Sequence, residues 1–92
     1  MSTLPIALIT GATSGIGLAT VQALASDHHI IALARNRQRL DNLVASLPSA
    51  QAVSVDLSDA EAVAEAVGEL SLERLDVLVN SAGVEAAGRL EE

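Results

Sequence analysis

The amino-acid sequence predicts an α/β fold in which helices cover both faces of a doubly wound parallel sheet. Half of the 92 residues are hydrophobic, yet Phe, Tyr and Trp are absent, so the core must be aliphatic. Short aliphatic runs also alternate with segments of helical periodicity along the chain. Strands buried on both faces have this composition, and the alternation predicts the order β-α-β-α-β-α-β with right-handed crossovers.

Four aliphatic runs predict the strands of this sheet. Each is short and rich in Val, Ile and Leu, as buried strands are. The predicted strands are Leu4–Thr10, Ile30–Ala34, Ala52–Asp56 and Leu75–Asn80. Segment 81–92 has two glycines and no clear period, so it is predicted to be a loop.

Three apolar stripes with a period near that of a helix separate the strands. Asn36 is predicted to cap the second helix, and Pro48 to end it. Ser58 and Glu61 have the S-x-x-E spacing of a capping box for the third helix. The stripes consist of Leu18, Val21, Leu24 and Ala25, then Leu40, Leu43, Val44 and Leu47, then Ala60, Val63, Ala64 and Val67.

Composition excludes several classes of protein. Cysteine is absent, which excludes disulfides, thiolate metal sites and a cysteine nucleophile. No apolar run approaches the ~18 residues of a membrane span, and the N-terminus lacks a secretion signal, so a cytoplasmic protein is expected. The net charge of −7 makes nucleic acid an unsuitable partner because phosphate backbones would repel the chain.

Two groups of polar residues are predicted to carry no function. His28 and His29 are adjacent, so on a strand they would face opposite ways and could not readily share one metal ion. The three glutamates Glu61, Glu65 and Glu69 recur every fourth residue opposite the third apolar stripe. That spacing indicates a solvated helix face.

A glycine-rich segment joins the first strand to the first helix. It reads Thr10-Gly11-Ala12-Thr13-Ser14-Gly15-Ile16-Gly17. Glycines let a phosphate approach the backbone closely, and the helix start presents free N–H groups and the positive end of the helix dipole. The segment therefore predicts a site for the pyrophosphate of a dinucleotide, with an ordinary tight turn as the alternative.

This segment matches the T-G-x-x-x-G-x-G signature of the short-chain dehydrogenase/reductase family, which the chain resembles along almost all of its length. Asn80-Ser81-Ala82-Gly83 is similar to the N-N-A-G element of that family, and Asp56-Leu57 to its acidic residue near the adenine. The resemblance implies a Rossmann-type sheet with strand order 3-2-1-4 and an NAD(P)-dependent oxidoreductase acting on an alcohol or carbonyl. It places the cofactor against residues Gly11, Thr13, Ser14, Gly15, Ile16 and Gly17.

The same resemblance implies roles for residues farther along the chain. Asn80 would brace the sheet, and the backbone of Ala82 and Gly83 would lie against the cofactor. Ser81 replaces the second asparagine and lacks the two donors of an amide, so no role is carried over to it. Asp56 would accept a hydrogen bond from the adenine amino group with Leu57 beside it, although a cap of the third helix is the alternative for this carboxylate.

Three arginines follow the second strand, in the segment Arg35-Asn36-Arg37-Gln38-Arg39. In dinucleotide-binding folds, residues near this point contact the adenosine ribose. An arginine there is permanently charged and can donate two hydrogen bonds to a 2′-phosphate. NADP(H) is therefore favoured over NAD(H), with Arg35 and Asn36 as contacts and Arg39 as the weakest candidate. The alternative is that the arginines only occupy an exposed helix start, and Ser14 stands where many NADP-preferring relatives have a basic residue.

The chain contains neither tyrosine nor lysine. The resemblance implies a catalytic Tyr-x-x-x-Lys pair, so no catalytic residue is assigned here. Residues 1–92 are expected to form a partial dinucleotide-binding domain without its catalytic half, and to be inactive alone. The unpaired edge of Leu75–Asn80 is expected to promote homo-oligomers or association. A non-catalytic binding module and a vestigial or interaction fragment are the alternative functions.

Overall fold

The computed structural model describes residues 4–13, 15–70 and 75–80. Strands and helices alternate in the predicted order. The strands are β1 (Ile6–Thr10), β2 (His29–Ala34), β3 (Ala50–Ser54) and β4 (Val77–Asn80). The helices are α1 (Gly15–Leu24), α2 (Arg37–Ala45) and α3 (Ala60–Glu69). The sheet has the order β3-β2-β1-β4 and every pairing is parallel, which confirms the predicted fold class and strand order.

The register aligns the carboxyl ends of all four strands at one edge of the sheet. Thr10 of β1 lies opposite Leu33 of β2 on one side and Asn80 of β4 on the other. Ala34 of β2 lies opposite Ser54 of β3. The segments that follow β1, β2 and β3 therefore all begin at this edge, where open α/β sheets bind ligands.

Helices cover both faces of the central strands, as a doubly wound sheet requires. Helices α1 and α2 pack on the face that contains Ile9 and Ile30. Helix α3 packs on the opposite face, against Leu8, Ile31 and Leu33. Strands β1 and β2 are buried on both sides, which explains why their sequences are continuous aliphatic runs.

All four strands start one or two residues away from the predicted positions, and β3 also differs at its end. Strand β3 was predicted as Ala52–Asp56 but spans Ala50–Ser54, in register with Ile30–Ala34 of β2. The Val55 N–H still donates to the Ala34 carbonyl at 2.9 Å, but Asp56 then turns away to accept hydrogen bonds from Ser58. The carboxylate is thus placed just past the strand end.

The predicted cap of α2 is confirmed, and that of α3 is wrong. Asn36 accepts a hydrogen bond from the Arg39 N–H at 3.0 Å and caps α2. Helix α3 is instead capped by Asp59, which accepts from the Ala62 N–H at 3.1 Å. Ser58 lies one residue before this cap position, and its hydroxyl donates to Asp56 Oδ1 at 2.7 Å.

The buried face of α3 also differs in part from the predicted stripe. Val63 and Val67 pack on the sheet together with Leu70, as part of the core of that face. Ala60 and Ala64 of the predicted stripe are exposed. The half-buried face of α3 is therefore centred on Val63 and Val67, and the two alanines lie to one side of it. Glutamates 61, 65 and 69 are exposed, which confirms the predicted solvated face.

Strand β4 is an edge strand among the described residues. It pairs with β1, and Leu78 on it is 64% exposed. No helix within 4–13, 15–70 and 75–80 is long and apolar enough to cross a membrane.

Leucines on the same face of a central and an edge strand should differ sharply in their contribution to stability. Leu33 is fully buried, so Leu33→Ala should lower the free energy of unfolding by about 2–5 kcal/mol through lost burial and a cavity. The matched variant Leu78→Ala should change it by less than about 1 kcal/mol, because most of that side chain is already in solvent. Urea denaturation measures both, and equal losses would contradict this assignment of the core.

Candidate functional site

The glycine-rich segment forms a tight turn between β1 and α1. Gly11 has φ 64° and Gly15 has φ 58°, which lie in the left-handed region that favours glycine. Gly17 is buried in α1. The first N–H groups of a helix have no partner within that helix, so α1 presents them at the carboxyl edge of the sheet.

A backbone hydrogen bond holds this turn against the neighbouring strand. The Ala12 N–H donates to the Leu33 carbonyl at 3.2 Å, and Ala12 is fully buried. Ile16, by contrast, is 55% exposed at the start of α1, although it is a large apolar residue. Ala12 is therefore held against β2, while Ile16 presents an apolar side chain to solvent at the start of α1.

Thr10 is a structural member of the site to which the sequence analysis assigned no role. Its side chain is nearly buried, and its hydroxyl donates to Asn80 Oδ1 at 2.9 Å, with the Val79 carbonyl oxygen 3.4 Å away. This bond links the ends of β1 and β4 and brings predicted residue Asn80 next to the glycine-rich turn. The sequence did contain a signal for this role, because Thr10 is a polar residue at the end of an otherwise aliphatic strand.

Arg35 and Asp56, predicted from separate motifs, lie together. Arg35 Nε is 3.7 Å from Asp56 Oδ1, and the two side chains are 73% and 54% exposed. The Ser54 hydroxyl donates to the Arg35 carbonyl at 3.1 Å and ties the end of β2 to β3. An exposed pair of this kind is worth about 0–1 kcal/mol, so either partner can exchange it for a ligand.

Asp56 is held as a carboxylate by its surroundings. Its Oδ1 atom accepts from the Ser58 hydroxyl at 2.7 Å and from the Ser58 N–H at 3.0 Å. These two hydrogen bonds, with a smaller effect of the Arg35 guanidinium, lower the pKa of Asp56 from its ordinary value of 3.8. Asp56 Oδ2 takes part in none of these contacts. Leu57, also predicted to bind cofactor, is half-buried and packs on the core beneath α3.

The remaining arginines of α2 have different environments. Arg37 Nε is 3.3 Å from Asp41 Oδ1, one helical turn away. Arg39 forms no ion pair within the part of the chain that the structure describes. It instead lines a groove of about 300 Å³ between α1 and α2, together with Thr13, Leu18, Asn42 and Leu43.

Three predicted residues, Ser14, Ala82 and Gly83, lie outside the described residues. The histidines lie near the opposite edge of the sheet from the glycine-rich turn. His28 Nδ1 is 2.7 Å from Asp27 Oδ1 and 3.2 Å from the Leu24 carbonyl. His29, the first residue of β2, bridges to β3 through Ser49 and Gln51 at 2.7 and 3.0 Å. Across the described ranges, no three potential ligands converge as a metal site.

The titration of Asp56 should depend on Ser58. Because the folded pKa lies below the ordinary value of 3.8, ionised Asp56 stabilises the fold above that pH, and this contribution is lost as pH falls through the folded pKa. Ser58→Ala should raise the pKa of Asp56 in a carbon NMR titration. Ser46→Ala is the matched control, since its hydroxyl donates to the Leu43 carbonyl instead. An Asp56 pKa that Ser58→Ala leaves unchanged would refute this account.

The sequence is similar to reductases and dehydrogenases of known activity. The family model for short chain dehydrogenases matches residues 5–92. L-xylulose reductase of Homo sapiens is 46% identical over 78 residues, covering 84% of this chain and 31% of that protein. Meso-2,3-butanediol dehydrogenase of Serratia marcescens is 39% identical over 92 residues, covering 95% of this chain and 37% of that protein.

Solved structures of the same kind share the fold. L-sorbose reductase of Gluconobacter frateurii, complexed with NADPH and L-sorbose, gives a TM-score of 0.73 at 34% identity, over 82% of this chain and 32% of that one. A short-chain dehydrogenase of Sphingobium yanoikuyae in complex with NADPH gives 0.69 at 33% identity, over 82% and 32%.

The chain spans about a third of the length of the relatives that it matches. Within that third, the family match runs from residue 5 to residue 92, and the parallel sheet carries the glycine-rich turn at the end of β1. On this evidence, the chain belongs to the short-chain dehydrogenase family.

Proposed function

We propose that this chain is the NADP(H)-binding N-terminal part of an oxidoreductase that acts on an alcohol or carbonyl substrate. The observation that carries the proposal is the turn after β1, where two glycines with positive φ open onto the start of α1. The relatives support NADP(H) as the cofactor, since the structures of the sorbose reductase and the Sphingobium dehydrogenase were both solved with NADPH. NADP(H), when bound, supplies or accepts the hydride.

The pyrophosphate of the cofactor would lie on the glycine-rich turn. Its negative charge would meet the backbone N–H groups between Gly11 and Gly17 and the positive end of α1. Left-handed backbone at Gly11 and Gly15 fits this role, because a side chain there would be both strained and in the way. Thr13, Ser14 and Ile16 are the further contacts that we propose from this segment.

The adenosine end of the cofactor would lie across the ends of β2 and β3. Asp56 Oδ2 is free of the contacts that engage Oδ1, so it can accept from the adenine amino group. Leu57 would pack against the adenine. Arg35 and Asn36 would contact the ribose and its 2′-phosphate. On the other side of the turn, the Thr10 hydroxyl fixes the Asn80 amide, with Ala82 and Gly83 as backbone contacts.

Binding without turnover is the activity that we propose for residues 1–92 alone. The chain has no tyrosine to protonate a carbonyl oxygen and no lysine to lower the pKa of such a group. We therefore propose that these residues form a partial domain, and that reduction requires groups from elsewhere in a protein of its relatives' length. The alternative, a non-catalytic dinucleotide-binding module, would use the same binding residues but would not take part in any reduction.

A cofactor titration tests the proposal directly. NADPH should bind to the chain more tightly than NADH, measured by the nicotinamide fluorescence. Arg35→Ala should remove most of that preference, roughly tenfold, because it deletes a charge-assisted hydrogen bond to phosphate. Gly15→Ala should instead lower the affinity for both cofactors, because the Gly15 φ of 58° is strained for alanine.

Gly68→Ala is the matched control for the turn. A side-chain carbon at Gly68 in α3 would meet nothing within 4 Å, and the residue lies in a helix where alanine is favoured by up to about 1 kcal/mol. It should bind both cofactors normally and unfold at the same or a higher urea concentration. Equal binding of NADPH and NADH to the unmodified chain would reject the assignment of NADP(H).

We also propose that the isolated chain associates through β4. The outer edge of this strand has no partner strand among the described residues, and Leu78 and Leu75 are 64% and 41% exposed. Such an edge offers both backbone hydrogen bonds and apolar area to another chain. Size-exclusion chromatography with light scattering should give a mass above that of one 9.4 kDa chain, and Leu78→Lys should shift it towards the monomer. A compact monomer at all concentrations would contradict this.

A further inference from the structure

We propose that Ser49 is an activated nucleophile, with His29 as its general base and Gln51 as the residue that positions the histidine. The site would take small esters and transfer their acyl group. The three residues lie at the amino ends of β2 and β3, at the opposite edge of the sheet from the glycine-rich turn. The proposed activity uses none of the cofactor-binding residues, so it stands apart from the function proposed above.

Two hydrogen bonds join the three side chains in a row. His29 Nδ1 is 2.7 Å from the Ser49 hydroxyl oxygen, and His29 Nε2 is 3.0 Å from Gln51 Oε1. His29 and Gln51 share one face of the sheet, because His29 precedes by two residues Ile31, the register partner of Gln51. A nucleophile, a base within hydrogen-bond reach and a third group that orients the base make up the arrangement of nucleophilic catalysis.

The acceptor at Gln51 determines the direction of the Ser49 hydrogen bond. An amide oxygen can only accept, so His29 Nε2 carries the proton of the neutral ring. Nδ1 is then the ring nitrogen with a lone pair, and the Ser49 hydroxyl donates to it. Donation in this direction increases the electron density on the Ser49 oxygen and gives its proton a base to move to.

Backbone hydrogen bonds hold the nucleophile and the base in place. The His29 N–H donates to the Pro5 carbonyl at 2.8 Å, and the Ser49 carbonyl accepts from the Ile30 N–H at 3.0 Å. Ser49 and His29 are half-buried and Gln51 is exposed, which leaves the site open to a small molecule.

A backbone donor for the developing oxyanion lies next to the nucleophile. Ala50 is the register partner of Ile30, and in a parallel pair the Ile30 backbone bonds to the residues on either side of Ala50. The Ala50 N–H therefore points to the outer edge of β3, where the described residues supply no partner strand. It is available to a ligand oxygen beside Ser49.

The proposed reaction needs only the ester and water. The Ser49 oxygen attacks the carbonyl carbon while the hydroxyl proton moves to His29 Nδ1. The bond from that carbon to the alcohol oxygen then breaks, the alcohol leaves with the proton, and the acyl group stays on Ser49. Water hydrolyses the acyl-serine with the same histidine as base and releases the carboxylic acid.

The experiment treats the full chain with p-nitrophenyl acetate and locates the acetyl group by mass spectrometry. The chain has no cysteine, lysine or tyrosine, so the side chains that usually dominate acylation are absent. Ser49 should be acetylated about a hundredfold faster than Ser46, because only Ser49 has a general base. Ser46 is the matched control serine, since its hydroxyl donates to the Leu43 carbonyl.

Variants of the two histidines test the general base. His29→Gln should lower acetylation of Ser49 about a hundredfold, because an amide can still hydrogen-bond but cannot take up the proton. His28→Gln is the matched control and should leave the rate unchanged, since Nδ1 of His28 faces two oxygen acceptors and no hydroxyl.

Variants of Gln51 separate a positioning role from a structural one. Gln51→Leu should lower the rate at Ser49 about tenfold through loss of the orienting hydrogen bond. Gln51→Glu should raise it above that of the unmodified chain, because a carboxylate stabilises the protonated histidine better than an amide does. A merely structural glutamine would give no such rise. The exposed Gln51 side chain makes this pair decisive even where His29→Gln unfolds.

Three results would overturn the proposal. They are an acetyl group spread evenly over the serines, an acetyl group found only on a histidine, and a folded His29→Gln variant that reacts at the original rate. NADPH affinity should be the same in all of these variants. The acylation site and the cofactor site can therefore fail independently of each other.

Discussion

Parallel pairing of β1 with β2 determines where every candidate binding group lies. With Thr10 opposite Leu33, β1 ends one residue before β2, and the chain beyond β1 turns where the Leu33 carbonyl can accept the Ala12 N–H. A shift by one residue would reverse the faces of β1 and place Leu8 where Ile9 now packs. Burial on both faces thus fixes the register, and the register fixes the glycine-rich turn relative to the arginines after β2.

Exposed charges around the carboxyl ends of the strands contribute little to the fold. The Arg35–Asp56 and Arg37–Asp41 pairs are each more than half exposed, so each is worth about 0–1 kcal/mol. Pairs this weak can be replaced by a ligand phosphate at low cost. These pairs affect the arginines unequally. An acidic partner reduces the positive charge that an arginine offers to a ligand, whereas an arginine without such a partner keeps its full charge. The cofactor specificity that we propose would then depend on the pairing of the arginines as well as on their number.

Sequence alone predicted the features that burial imposes and missed those decided by competition between neighbouring side chains. Strand order, helix order and the Asn36 cap follow from periodicity, from the family resemblance and from local capping chemistry, and the structure confirms them. Ser58 was predicted to cap α3, but Asp59 occupies the cap position, and Ser58 instead hydrogen-bonds to Asp56. Sequence also does not reveal which arginine meets an acid across a turn or between strands, as Arg35 meets Asp56. Such pairings need coordinates.

The end of β4 links completion of the sheet to completion of the site. Strand β4 is only four residues long, and its attachment to β1 includes the Thr10 hydroxyl on Asn80 Oδ1. That bond fixes the Asn80 amide at the carboxyl edge while the outer edge of the strand stays exposed, with Leu78 mostly in solvent. A further strand that pairs there would hydrogen-bond to the outer edge of β4 and flank Leu78. Extension of the sheet would therefore strengthen the strand whose end holds Asn80.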